Sequence, residues 1–145
     1  MKSKNIFILL FVFCLTSVVM YAQTTNNFGD TKTIQKFKPQ KIGMVISSND
    51  PESVWNAFRL ANYSVDQGDM VSVFLLGKGV EAPTIINKDF DVNAMMETFS
   101  SVGGKIFACG TCLMSRNTEG TKLCPVSTLA DLYIIIKSNE IILTF

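Results

Sequence analysis

Past residue 40 the chain alternates short, nearly continuous apolar runs with longer stretches whose apolar residues recur every three or four positions. The first run, Ile42-Gly43-Met44-Val45-Ile46, is closed by Ser47-Ser48-Asn49-Asp50-Pro51, which predicts a buried strand, a turn and a helix start. Val54, Phe58, Ala61 and Val65 then follow at helical spacing, flanked by Trp55 and Leu60, until Gly68 stops the helix. Residues 70–76 read as a second strand that ends at Gly77-Lys78-Gly79-Val80, with a loop over residues 83–91. That segment lacks the phosphate-loop pattern and reads as a plain turn, ahead of an alternative in which it lines the same sheet edge as Cys109 and holds an anion with Lys78. Ala94, Met95, Phe99 and Val102 share one helical face, Gly103-Gly104 ends it, and Lys105-Ile106-Phe107-Ala108 forms a third strand that leads into Cys109.

Beyond Cys112 the polar stretch to Thr121 predicts a short helix and a loop. Thr128 with Asp131 three residues on has the pattern of a capping box, opening a helix whose stripe is Leu129, Leu132, Tyr133 and Ile136. Glu140-Ile141-Ile142-Leu143-Thr144-Phe145 is the last strand. Strands and helices alternate throughout, which predicts an α/β domain over residues 41–145, a mostly parallel sheet with helices on both faces.

The first 22 residues have a different pattern. Lys2 and Lys4 precede an apolar run from Ile6 to Met20, the layout of a secretory signal, and Ala22 offers a small residue for cleavage. Uncleaved, the same run would be an N-terminal anchor, although it is short for a bilayer that needs roughly 20 apolar residues. Either way the expected location is exported, periplasmic or cell-envelope, with membrane contact only if the leader stays. Residues 23–40, rich in Thr, Asn, Lys and Gln without periodicity, read as a flexible tether.

Charge and composition narrow the function. Loss of Lys2 and Lys4 with the leader takes 13 basic residues to 11 against 12 acidic ones, a net charge of −1 that gives nucleic acid nothing to bind. The chain has no histidine, which excludes Ser-His-Asp triads, Cys-His dyads and histidine-containing zinc sites. No metal and no cofactor are expected.

Sulfur is what remains. With Cys14 in the leader, the mature chain keeps Cys109, Cys112 and Cys124, an odd number for an oxidising compartment. Cys109 follows a strand at the carboxyl edge of a parallel sheet, where α/β proteins collect reactive groups. A helix starting near Thr111 or Cys112 would aim N–H groups and a positive dipole end at Cys109 and lower its thiol pKa, and Arg116 would add to this. The Cys-x-x-Cys spacing of Cys109 and Cys112 suits reversible disulfide or persulfide chemistry, although the pair can equally serve as a permanent staple. Cys124 is either a resolving thiol or a packed loop cysteine.

Residues 41–145 resemble the DsrE/DsrF-like family of small sulfur-relay proteins, which includes the YchN-like proteins. The opening strand, the strand and turn Val73-Phe74-Leu75-Leu76-Gly77-Lys78-Gly79-Val80, the Ala108-Cys109-Gly110-Thr111-Cys112 turn and the closing Ile142-Leu143-Thr144-Phe145 carry the resemblance. It implies a flavodoxin-like three-layer fold, a homo-oligomer (trimer or hexamer), and a persulfide carrier or transferase in which Cys109 takes the carrier position, with Cys112 second. The partners it implies are sulfur donor and acceptor proteins or small thiols. Where the family has an Arg-Gly pair, this chain has Arg116 followed by Asn117. Two other functions fit the same residues: a thiol-disulfide oxidoreductase or redox sensor, and a noncatalytic oligomeric binding module.

Overall fold

The structure, a computed structural model, describes residues 37–145. The expected leader (1–22) and residues 23–36 of the expected tether (23–40) lie outside the described residues.

Five strands build one sheet: β1 (Lys41–Ile46), β2 (Met70–Leu75), β3 (Lys105–Cys109), β4 (Val126–Ser127) and β5 (Ile141–Thr144). Their order is β4-β3-β2-β1-β5, and every pairing is parallel. The central strands are buried on both faces, which is why they read as continuous apolar runs rather than as alternating ones.

The chain steps from β1 to β4 in one direction, through α1 (Pro51–Asp66), a 3-10 segment (Gly77–Thr84), α2 (Val92–Ser101) and α3 (Gly110–Met114). It then crosses back through α4 (Leu129–Ser138) to place β5 beside β1. Right-handed crossovers put helices reached by opposite steps on opposite faces of the sheet. So α1 and α2 pack together on one face, with Phe58 and Phe99 edge to face at 5.9 Å, and α4 packs on β1 from the other. Three layers result. Phe58, Phe74, Phe99, Met44, Ile46 and Met96 fill the core between them.

The helix caps follow the local sequence. Asp50 accepts the Ser53 N–H ahead of Pro51, Asp91 accepts the Ala94 N–H, and Thr128 with Asp131 forms the predicted capping box. Gly68, at φ +97°, follows the end of α1.

Two predicted stripes are rotated. In α2 the buried residues are Val92, Met96 and Phe99, while Met95 is half-buried and Val102 is 55% exposed, so the core face lies one position further along at the methionine pair. In α4 only Leu132 and Ile135 are buried, whereas Leu129 (72%) and Tyr133 (63%) are exposed together with Ile134 and Ile136. That helix is apolar nearly all round, so its sequence cannot specify which stripe the sheet takes. The loop expected after β2 is also more ordered than its turn residues suggested, since residues 77–84 wind as 3-10 turns with Pro83 inside. Among the described residues, no helix is long and apolar enough to cross a membrane.

Candidate functional site

β3 runs one residue further than expected, so Cys109 is its last residue, paired in register with Ser127 of β4, and also the residue before α3. The helix after it starts at Gly110, one residue ahead of the expected Thr111 or Cys112. All three described cysteines are free thiols.

The strand that delivers Cys109 also buries it, leaving 8% of the residue exposed. This overturns the expected acidic thiol. Burial pushes the Cys109 thiol above its ordinary range, and the neighbouring Cys112 side chain pushes the same way. The amides of Cys112 and Thr111 pull in the opposite direction but do not win, and Cys109 makes no side-chain cap to α3. A helix of five residues has a weak dipole, and desolvation of a sulfur anion outweighs it.

Cys112 sits on the first turn of α3, half-buried. Its thiol accepts the backbone N–H of Gly77 at 3.2 Å. This donor belongs to the turn that the sequence offered chiefly as punctuation, and two backbone features make it possible. Gly77 is at φ +56°, a left-handed conformation that side chains resist. A Cβ on Gly79 would lie 2.0 Å from the Ile46 carbonyl oxygen, so only glycine lets the 3-10 segment lean on the end of β1.

Arg116 does not face the thiols. Its Nε donates to Glu81 Oε1 at 2.7 Å, and its Nη1 donates to the Cys112 carbonyl oxygen at 3.1 Å and to Ser115 Oγ at 3.2 Å. Glu81 Oε2 in turn accepts Asn49 Nδ2 at 2.9 Å, and the arginine holds the Glu81 carboxyl below its usual range. With its charge committed to Glu81, Arg116 positions the α3 backbone instead of the sulfur anion. Asn117, standing where the family pattern has glycine, adopts φ +51°. Asparagine tolerates that region better than other side chains, so the loop keeps a glycine-like path.

Thr111 is exposed, and its carbonyl accepts the Ser115 N–H. Cys124 is 1% exposed, its thiol is pushed up to about 12 by burial, and its backbone N–H donates to Thr121 Oγ1 at 3.0 Å. At neutral pH that sulfur is a packed, protonated side chain. The structure therefore gathers Cys109, Cys112, Thr111 and Arg116 at the carboxyl end of β3, brings Gly77 to the same edge as the less favoured reading of its turn had it, and adds Glu81 and Asn49, which sequence reasoning missed. Gly77-Lys78-Gly79 was the only sequence signal for these additions, a glycine pair at a strand end.

The DsrE/DsrF-like family model matches residues 40–145. The crystal structure of the ychN protein from E. coli superposes with a TM-score of 0.65 at 20% identity, covering 74% of this chain and 100% of that one. No curated protein matches by sequence.

Proposed function

This chain belongs to the DsrE/DsrF-like family, a family of sulfur relay, and from that premise we propose that it carries persulfide sulfur on Cys109. The observation that supports the reading is the pair of free thiols, Cys109 and Cys112, three residues apart at the carboxyl end of β3. The Cys109 sulfur attacks the outer sulfur of a donor R–S–SH, the donor S–S bond breaks, and Cys109–S–SH forms as the proton passes to R–SH. The transfer is redox-neutral, and an acceptor thiol reverses it. Because burial keeps Cys109 protonated at rest, loading depends on proton removal as the donor docks. Export to the periplasm or cell envelope belongs to the same proposal and rests on the leader. A homo-oligomer belongs to it too, supported by the exposed apolar side chains Leu129, Tyr133, Ile134 and Ile136 on α4.

The same pair of free thiols also supports a second reading, a thiol-disulfide oxidoreductase or redox sensor. Intact-mass analysis after incubation with glutathione persulfide separates the two. A carrier gains the mass of one sulfur atom, lost on reduction and absent from the Cys109→Ser, Cys112→Ser double variant. An oxidoreductase loses two hydrogens and gains nothing. Unchanged mass, or equal sulfur uptake by the double variant, refutes the carrier.

A further inference from the structure

The two thiols of the pair are not equivalent. Cys109 is the last residue of a strand and is buried, while Cys112 is half-buried on the following turn, nearer to solvent. Only the Cys112 sulfur accepts a main-chain N–H from outside residues 109–112, that of Gly77. Its backbone is held as well: the Cys112 carbonyl accepts Arg116 Nη1 and Ser115 Oγ, and Arg116 is tied to Glu81. An amide fixed against a sulfur stabilises the negative charge that gathers there when that sulfur leaves a disulfide-type bond. Thiol exchange also depends on which sulfur a partner can reach.

We infer that Cys112 is the exchange thiol, through which sulfur enters and leaves the site, while Cys109 is the store behind it. The inference rests on the sulfur-carrier reading above. In the first step Cys112 attacks the outer sulfur of R–S–SH, giving Cys112–S–SH and R–SH. In the second, the Cys109 sulfur attacks the outer sulfur of Cys112–S–SH, and the S–S bond to Cys112 breaks. Cys112 departs as a thiolate facing the Gly77 N–H and takes up the proton that Cys109 gives off. Neither step needs an oxidant or a reductant. The buried persulfide on Cys109 is then shielded from stray thiols, and release runs the two steps backwards.

The test is a time course on the wild-type protein with glutathione persulfide, stopped with iodoacetamide. Cys109 and Cys112 share the tryptic peptide 106–116, so fragmentation between them locates the added sulfur. The added sulfur is expected on Cys112 at the earliest times and on Cys109 later. Cys112→Ser is expected to load Cys109 about tenfold more slowly or worse, since access sets the exchange rate. Cys109→Ser is expected to trap the sulfur on Cys112. Sulfur found first on Cys109, or Cys112→Ser loading at the wild-type rate, overturns the inference and leaves the carrier standing. Wild type that takes up no sulfur overturns both.

Discussion

Cys124 makes the fold sensitive to alkali in a way that can be isolated. Its thiol ionises at about 12 in the folded protein, against 9.0 for an unperturbed thiol in the unfolded chain. The folded state holds this proton more tightly, so the stabilisation is complete below pH 9 and is lost as pH rises from there towards 12. At pH 10 the unfolded chain has ionised the thiol about tenfold and the folded one hardly at all, which favours unfolding by about 1.4 kcal/mol. Substituting Cys124 by alanine deletes this term and leaves a cavity cost that does not depend on pH. The assay is urea unfolding under reductant at pH 7 and pH 10, followed by fluorescence of the single tryptophan, Trp55. Every other group is common to the two proteins and cancels in the difference. Wild type is expected to lose about 1.4 kcal/mol more than Cys124→Ala between the two pH values. Parallel losses would mean that the Cys124 thiol reaches water in the folded state, contrary to its burial.

Gly79→Ala forces a Cβ into the Ile46 backbone and is expected to cost about 3 kcal/mol in urea unfolding. It also moves the Gly77 amide away from Cys112, so maleimide labelling of Cys112 changes in the folded variant, whereas a wild-type labelling rate would argue against the contact. Asp131→Ala removes one side of the α4 capping box and lowers the melting temperature. Hydrogen bonds from Thr128 and Ser127 hold the Asp131 carboxyl below its usual range, so its stabilisation is present above the ordinary carboxylate pKa and lost as pH falls through the folded value. The gap between wild type and variant in thermal melts should accordingly be full at pH 6 and close in acid.

Much of this architecture is legible in the residues because local and global signals agree. The runs at Ile42 and Met70 are buried on both faces, so they read as parallel strands, and glycines or caps mark their ends. The second half of the chain is less readable. β4 has two residues, too few for any periodicity, and α4 has apolar side chains on faces that this single chain leaves uncovered. At the site, the place of Cys109 is legible from the strand before it. The sign of its pKa shift is not, because burial comes from neighbours distant in sequence and outweighs a short helix. Arg116 carries a similar lesson: its partner Glu81 lies 35 residues away, in a segment that sequence alone presents as a turn and loop. Nothing local distinguishes an arginine that serves a sulfur from one that serves a carboxylate.

The Glu81 carboxylate receives Asn49 on one oxygen and Arg116 on the other, and so ties together the connections that leave β1, β2 and β3. Those three loops behave as one mechanical unit. A molecule that pulls on any of them is felt at the arginine that holds the Cys112 carbonyl, so docking and sulfur geometry share one fastening.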